Sequence, residues 1–267
     1  MLTIHKYIRA KSIEEAYELC QNRSSVVLGG MLWLKMQNRT VDYAIDLCDL
    51  GLNLIEDKGD EIHIGAMVSL RQLEINPILN EYTQNAIRES VKNIVGVQFR
   101  NLATVGGSLF GRYGFSDVLT IFMALDAYIE LYHGGIIPIQ EFAAMPMTKD
   151  ILVRVVIKKV PLQIKYMSQR NTKTDFPVLT CAISNLNNNY LCVIGARPLK
   201  AIVFEDEKGY LDNGITEETV KSFVNDIAEQ LVLGSNLRGS KEYRRRIAKV
   251  LIKRALMALD KEANHGN

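Results

Sequence analysis

The sequence contains few cysteines, and none of them stands in a metal-ligand spacing. Cys20, Cys48, Cys181 and Cys192 are the four thiols among 267 residues, and no two of them form a C-x-x-C pair. Zinc and iron–sulfur sites are usually built from clustered thiols, so we expect no metal centre on this chain. Scattered thiols of this kind are typical of buried, reduced cysteines in a cytoplasmic protein.

An excess of charge and long apolar runs are also missing. The 32 Lys and Arg residues nearly balance the 30 Asp and Glu residues, so the composition does not favour a nucleic-acid partner. The longest apolar stretch, VLTIFMALDAYIELY, is interrupted by Asp126 and is too short for a membrane span. The polar N-terminal stretch lacks the apolar core of a signal peptide. We therefore expect a cytoplasmic protein that binds neither nucleic acid nor a membrane.

Two common nucleotide-binding motifs are absent, but two glycine pairs are present. Neither G-x-G-x-x-G nor G-x-x-x-x-G-K-[ST] occurs, which argues against Rossmann and P-loop sites. Gly29-Gly30 follows VVL, and Gly106-Gly107 follows ATV. Because glycine weakens a strand, each pair predicts either a turn or bulge, or a loop whose amides face a phosphate. The second pair is followed by Ser108 and Asp117, which favours a nucleotide.

Local patterns predict alternating helices and strands. The segments Ser12–Glu15 and Ser69–Gln72 have capping patterns that predict two helix starts, and the apolar spacing predicts a helix over 82–95. Two apolar runs joined by Asn187–Asn189 predict a β-hairpin. The amphipathic stretch after Gly239 predicts a long helix. Strands are expected in SSVVL, VDYAIDL, DEIHIGAMVSL and ILVRVVIKKV.

The order of the motifs resembles the FAD-binding subunit of the molybdenum hydroxylases, the xanthine and carbon monoxide dehydrogenase family. The family pattern runs A-G-G-T-D-L, I-G-A, R-N-x-A-T-x-G-G-N, S-D and G-S-x-x-Y-R. This chain has LGGML at 28–32, IGA at 64–66, RNLATVGGS at 100–108, SD at 116–117 and RGSKEYRR at 238–245. Its length and the HIGAMVSL stretch look most like the short flavoprotein subunits encoded with selenium-dependent molybdenum hydroxylases.

The resemblance implies a role for each matching residue. The first glycine loop would hold the FAD pyrophosphate with its amides, and the second would lie against the phosphates, which would explain its bare backbone. Thr104 would contact the flavin nucleotide, Asp117 would accept hydrogen bonds from ribose, and Leu152 would pack on the flavin. Lys165 is the nearest match to a lysine that is common in the family. The implied FAD-binding residues are Val27, Leu28, Gly29, Gly30, Met31, Leu32, Thr104, Gly106, Gly107, Ser108, Asp117, Leu152 and Lys165.

The chain departs from the family pattern at three places. Met31 and Leu32 stand where the family has Thr and Asp, so the first loop lacks two polar side chains. Ser108 stands where Asn is usual and has a shorter reach. The stretch GRYGFSD lacks the proline often found before Ser-Asp. We therefore expect FAD binding to be weakened, but not abolished.

The resemblance also implies an α+β fold with two domains. A two-lobed FAD-binding domain, of the type shared with flavin-dependent oxidases, would span residues 1–160, with lobes of about 1–55 and 56–160. A C-terminal α/β domain would span residues 161–267 and contain a three- or four-stranded sheet backed by helices.

The implied function is electron transfer within a multisubunit oxidoreductase. A molybdopterin-binding large subunit would hydroxylate the substrate, and a small subunit would carry [2Fe–2S] clusters. FAD on this chain would pass the electrons to NAD+ or another acceptor. No catalytic residue is identified, as expected if the flavin carries the chemistry. Two alternatives stay open, namely a flavin-free assembly subunit that keeps the fold and a free-standing flavin oxidase.

Two further features allow more than one interpretation. Trp33 would either pack beside the cofactor or anchor the first glycine loop. The basic residues of the last helix form a solvated face, a nucleic-acid site or a subunit interface, of which the solvated face is favoured. These residues are Arg244, Arg245, Arg246, Lys249, Lys253 and Arg254.

Overall fold

Two compact units make up the chain in the computed structural model, which describes residues 1–265. The first unit contains Met1–Leu73, Gly96–Gly111 and Ala127–Lys158. The second contains Glu74–Val95, Arg112–Asp126 and Lys159–Asn267, the last as far as residue 265. Both units combine helices and strands, so the predicted α+β fold class is confirmed. The domain boundaries placed at residues 55 and 160 stay predictions.

Most helices begin where the sequence places a capping side chain. Ser12 accepts a hydrogen bond from the amide of Glu15, and the hydroxyl of Ser69 accepts one from Gln72 at 3.1 Å, as the capping patterns predict. In the described residues the helices are α1 (Ile13–Cys20), α2 (Leu70–Ile75), α3 (Pro77–Tyr82), α4 (Ala86–Val91), α5 (Val97–Leu102), α6 (Val105–Phe110), α7 (Asp117–Phe122), α8 (Ile139–Ala144), α9 (Glu217–Gln230) and α10 (Lys241–His265).

The helix predicted over 82–95 is wrong in its extent. Tyr82 ends α3, and only the middle of the predicted segment forms α4. Gln84 and Asn85 separate the two helices with φ angles of 43° and 65°. Because these two residues have a left-handed backbone, the right-handed helix ends there. The apolar spacing in the sequence continues across this break and does not reveal it.

The first unit contains two sheets. β1 (Thr3–Arg9), β2 (Ser25–Leu28) and β3 (Thr40–Asp46) form a parallel sheet in the order β1-β3-β2, and α1 packs against it through Ala16 and Cys20. The other sheet is antiparallel and has the order β4-β5-β8-β6-β7. Its strands are β4 (Ile55–Asp57), β5 (Glu61–Gly65), β6 (Ala127–Leu131), β7 (Gly135–Pro138) and β8 (Leu152–Lys158).

The second unit is built around an antiparallel sheet in the order β12-β11-β10-β9. The strands are β9 (Leu162–Arg170), β10 (Pro177–Leu186), β11 (Asn189–Gly195) and β12 (Ile202–Glu205). Asn187 and Asn188 have φ angles of 50° and 68°, the left-handed pair that a two-residue hairpin turn requires, so the predicted hairpin is confirmed. Cys181, Ile183, Cys192 and Ile194 of this sheet share a buried core with Phe223, Ile227, Ile252 and Leu256 of α9 and α10.

None of the helices within residues 1–265 is both long enough and apolar enough to cross a membrane. Among the same residues, no group of three or more His, Cys, Asp or Glu side chains is arranged to hold a metal ion.

Candidate functional site

The first glycine loop offers a run of backbone donors. Val27 and Leu28 are the last residues of β2, and the loop continues to a short 3₁₀ helix at Leu34–Met36. The amides of the four residues Gly29, Gly30, Met31 and Leu32 donate no hydrogen bond to any of residues 1–265. All four residues are half-buried. Consecutive half-buried amides without protein acceptors form a concavity that is suited to an anion.

The second glycine pair lies in the first turn of α6, where the sequence predicted a turn, a bulge or a loop. Thr104 precedes α6, and its hydroxyl oxygen accepts a hydrogen bond from the amide of Gly107 at 3.1 Å. Threonine is a favoured capping residue because its short hydroxyl reaches back to such an amide. This capping bond accounts for the threonine two positions before the glycine pair.

Three backbone hydrogen bonds fix the second loop to the segment that follows β5. Val105 donates to the carbonyl of Val68 and Gly106 donates to that of Ala66, each at 2.8 Å. In return, Leu70 donates to the carbonyl of Ala103 at 2.8 Å. The I-G-A motif of the sequence therefore supports the second glycine loop.

The two glycine loops meet around the hydroxyl of Thr104. A Cβ atom on Gly29 would lie 2.6 Å from Thr104 Oγ1 and 3.4 Å from the Cα of Gly107. A Cβ atom on Gly107 would lie 3.1 Å from the same oxygen and 3.9 Å from the Cα of Gly29. We call residues 29–32 together with Thr104 and Gly107 the glycine cradle. It lies wholly within the first unit.

Close backbone packing, not a ligand, explains two of the four glycines. A Cβ atom on Gly30 would lie 1.9 Å from the carbonyl oxygen of Leu102. A Cβ atom on Gly106 would lie 2.8 Å from the carbonyl oxygen of Ala66. The hypothesis that a phosphate keeps the second pair bare is therefore unnecessary for Gly106, and it stays a prediction for Gly107.

The hydroxyl of Thr104 can serve a ligand, whereas that of Ser108 is already engaged. Thr104 is 7% exposed, and its hydroxyl hydrogen has no acceptor among the described residues. Ser108 donates its hydroxyl hydrogen to the carbonyl of Thr104 at 2.8 Å. The cradle thus presents four amides and one hydroxyl, all of them donors, which fits a pyrophosphate. The amides do not depend on the side chains of Met31 and Leu32.

Asp117 lies in the second unit, at the centre of a buried polar cluster. Its Oδ1 accepts a hydrogen bond from the hydroxyl of Tyr166 at 2.5 Å and an ion-paired one from the guanidinium of Arg170. The side chains of Asp117 and Arg170 are 5% and 7% exposed. Burial raises the pKa of Asp117, while Arg170 and Tyr166 act in the opposite direction. Burial and the nearby charge of Asp117 raise the pKa of Tyr166 well above its ordinary value.

The remaining predicted residues stand on strands. Leu152 begins β8 opposite Leu131 and is 5% exposed, so the protein already buries this side chain in the first unit. Lys165 lies on β9 opposite Ile183 and is half-buried in the second unit. Their roles toward FAD stay predictions, as does the ribose contact of Asp117.

No local sequence pattern indicated the partners of Asp117. Tyr166 and Arg170 lie 49 and 53 positions further along the chain. No short motif connects residues at such separations. The resemblance implied that amides of the first glycine loop hold the pyrophosphate, but a sequence does not show which backbone donors lack acceptors among the described residues.

Trp33 and the basic residues of α10 have contacts inside the protein. Trp33 makes an edge-to-face contact with Phe99 of α5, with ring centroids 6.2 Å apart, which supports a role in anchoring the loop. Arg245 donates to the carbonyls of Ala228 and Leu231 at the end of α9. Lys249 donates to Asn225 at 3.0 Å, and Lys253 lies 3.7 Å from Glu217. These partners favour a structural role over a nucleic-acid site.

Arg244 is fully buried and holds the loop before α10. Its guanidinium donates to the carbonyls of Val178 and Gly234, each at 2.9 Å, to the carbonyl of Gly239, and to the side-chain oxygen of Asn236 at 2.6 Å. The arginine of the G-S-x-x-Y-R motif is therefore a structural residue in this chain.

Known protein families match the chain along nearly its full length. Residues 3–162 match the FAD binding domain in molybdopterin dehydrogenase, and residues 165–259 match the CO dehydrogenase flavoprotein C-terminal domain. The chain is 27% identical over 255 residues to the uncharacterized protein YgfM of Escherichia coli strain K12, covering 93% of this chain and 94% of that protein. It is 24% identical over 272 residues to the glyceraldehyde dehydrogenase medium chain of Sulfolobus acidocaldarius, covering 93% and 96%.

The fold is shared with solved structures. A chain of carbon monoxide dehydrogenase from Hydrogenophaga pseudoflava has a TM-score of 0.88 at 21% identity, covering 97% of this chain and 98% of that chain. At this identity the likeness establishes the fold, whereas the two family matches establish membership. The chain therefore belongs to the family of FAD-binding subunits of carbon monoxide and xanthine dehydrogenase-type molybdenum hydroxylases, and its cofactor is FAD.

Proposed function

We propose that this chain passes electrons from [2Fe–2S] clusters on a small partner subunit to NAD+ or another acceptor by way of its FAD. A molybdopterin-binding large subunit would supply those electrons by hydroxylating a substrate. The observation that carries the proposal is the glycine cradle, in which four amides of one loop have no acceptor among residues 1–265. When bound, FAD would supply both single-electron and electron-pair transfer.

The residues of the chain bind and orient the cofactor. The amides of the cradle would hold the pyrophosphate oxygens, and Thr104 would donate its hydroxyl hydrogen to one of them. Asp117, held by Tyr166 and Arg170, would accept a hydrogen bond from a ribose hydroxyl. Leu152 and Lys165 are proposed on the flavin side.

The printed names of relatives support assembly with partner subunits. The Sulfolobus relative is a medium chain, which points to a complex with other chains. The two family matches meet between residues 162 and 165, which supports the proposed domain boundary near residue 160. We propose that the complex works in the cytoplasm. The narrower likeness to selenium-dependent hydroxylases stays a prediction.

A titration tests the proposal. The purified chain should bind FAD at one per chain, detected by quenching of flavin fluorescence, and should reduce an artificial dye slowly with NADH. Substrate hydroxylation should appear only when the two partner subunits are added. Failure to bind FAD even with the partners present would contradict the proposal, and so would hydroxylation by the isolated chain.

A further inference from the structure

Arg238, the first residue of the RGSKEYRR motif, holds the loop between β9 and β10. Its guanidinium donates to Oδ1 of Asp175 at 3.1 Å and lies over Phe176, 4.7 Å from the ring centroid. The amide of Phe176 donates to the same carboxylate oxygen at 2.7 Å. The hydrogen bonds from Arg238 and from this amide lower the pKa of Asp175. Asp175 is therefore ionised at neutral pH and pairs with Arg238.

The main chain of Arg238 is itself fixed by its neighbours. Its amide donates to the side-chain oxygen of Asn236 at 2.9 Å, and that oxygen also accepts from the buried Arg244 at 2.6 Å. The carbonyl of Arg238 accepts from the side-chain amide of Asn171 at 3.2 Å. Arg238 thus connects the segment before α10 to both ends of the loop 171–176, which is mostly exposed.

The same loop orients Arg170, the partner of Asp117. The guanidinium of Arg170 donates to the carbonyl of Asp175 at 2.5 Å, to the carboxylate of Asp117, and to the hydroxyl of Ser168 at 3.3 Å. Because a guanidinium is planar and its donors have a fixed geometry, a shift of the Asp175 carbonyl would turn the edge that faces Asp117. The side chain of Arg170 is nearly buried, so water does not readily replace a lost protein acceptor.

We propose that Arg238 is a positioning residue for the adenosine ribose of FAD. By holding Asp175, it would keep Arg170 in place, and through Arg170 it would keep the carboxylate of Asp117 aimed at a ribose hydroxyl. This inference rests on the proposed function, in which Asp117 accepts from that ribose. All four residues lie in the second unit, so the relay is contained in one compact part of the chain.

The relay predicts a property that a merely structural arginine would not have. ADP carries the adenosine ribose, whereas 2′-deoxy-ADP and 3′-deoxy-ADP each lack one of its hydroxyls. We call the ratio of the ADP affinity to the affinity of the weaker deoxy analogue the ribose factor. A ribose hydroxyl that donates to the carboxylate of Asp117 should give the wild type a ribose factor of about ten to a hundred, since the bond is made to a charged group.

Titrations of the flavin-free chain with ADP and the two analogues test the inference. Arg238→Gln should lower the ribose factor to about a third of its wild-type value or less, while FMN, which has no adenosine ribose, keeps its affinity. Arg238→Lys keeps the charge that pairs with Asp175 and should retain most of the factor. Asp175→Asn should lower the factor as Arg238→Gln does, and the double variant should lower it no further, because both substitutions break the same contact.

Arg245→Gln is the matched control. Arg245 donates to the carbonyls of Ala228 and Leu231 and not to the loop that holds Arg170, so this variant should keep the wild-type ribose factor. A thermal melt of each variant reports folding independently of the ligands. Asp175→Asn provides the test if Arg238→Gln does not fold.

A folded Arg238→Gln or Asp175→Asn chain with the wild-type ribose factor would overturn the inference and leave the proposed function in place. A double variant whose factor falls well below that of either single variant would also overturn it. A wild-type ribose factor near one would contradict the ribose contact of Asp117, and the inference with it. A wild-type chain that binds neither FAD nor ADP would overturn the proposed function as well.

Discussion

Replacing Gly107 with alanine separates cofactor binding from folding. Gly107 lies inside α6, and alanine in place of glycine within a helix contributes about 1 kcal/mol of stability. The added Cβ would lie 3.1 Å from Thr104 Oγ1, a tight contact that offsets part of this gain. The free energy of unfolding should therefore change by less than about 1 kcal/mol.

The same methyl group would point toward Thr104 and Gly29, into the glycine cradle. Losing one hydrogen bond to a charged phosphate costs about 1.5–3 kcal/mol. FAD binding should weaken about tenfold to a hundredfold, since about 1.4 kcal/mol corresponds to a factor of ten. Urea unfolding and an FAD titration on the same preparation measure the two effects.

Gly106→Ala is the matched control. Its Cβ would lie 2.8 Å from the carbonyl oxygen and 2.9 Å from the Cβ of Ala66, which is packing against the protein and not against the cradle. This variant should lose about 1–3 kcal/mol of stability, while its folded fraction binds FAD normally. If Gly107→Ala folds and binds FAD like the wild type, the cradle does not hold the phosphates.

Three further predictions concern stability, pH and the first loop. Gly195→Ala should destabilise the protein by at least about 1–3 kcal/mol, because the new Cβ would lie 2.2 Å from Thr120 Oγ1 and 2.4 Å from Thr180 Oγ1. An unchanged midpoint of urea unfolding would contradict this packing. The pKa of Tyr166 is raised in the folded state, so its contribution to stability is present below its unfolded pKa of about 10 and is lost as the pH rises above that value. Tyr166→Phe should therefore lose less stability than the wild type between about pH 9 and pH 11. An equally steep loss of stability in this variant would contradict the raised pKa of Tyr166. Met31 has a φ of 58°, a backbone conformation that asparagine tolerates and β-branched threonine does not. Met31→Asn should therefore bind FAD more tightly, whereas Met31→Thr should melt at a lower temperature. A Met31→Thr chain that binds FAD more tightly and melts higher than Met31→Asn would contradict the loop conformation.

Short-range patterns predicted several elements of this fold because their causes lie within a few residues. The Asn187-Asn188 turn works because both residues accept a left-handed backbone, which the sequence alone suggests. Ser12 was recognisable as a cap because its hydroxyl bonds an amide only three residues away. The predicted fold class and cofactor were confirmed because the motif order is specific to one family.

Thr104 shows where a local interpretation fails. The glycine pair after Thr104 predicted a turn, a bulge or a loop, but the hydroxyl of Thr104 caps α6 and both glycines lie inside that helix. The start of this helix depends on a single hydrogen bond, which the periodicity of the sequence does not show. The break at Gln84 and Asn85 had a similar cause, since the apolar spacing continued while the backbone changed hand.

Contacts between residues far apart in the chain could not be predicted from the sequence. Asp117 was singled out as a ligand residue, yet nothing near it in the chain indicated Tyr166 or Arg170. Gly30 and Gly106 have no room for a side chain because the backbone carbonyls of Leu102 and Ala66, which are distant in the sequence, pack against them. Tertiary packing determines such features, and they became visible only in the folded structure.

Hydrogen exchange of the first glycine loop tests the central claim most directly. The amides of Gly29, Gly30, Met31 and Leu32 have no acceptors among residues 1–265, so they should exchange quickly in the flavin-free chain. Saturating FAD should slow their exchange by about tenfold or more, and riboflavin, which lacks phosphate, should leave it unchanged. Unprotected amides in a chain whose visible spectrum shows fully bound FAD would contradict the account.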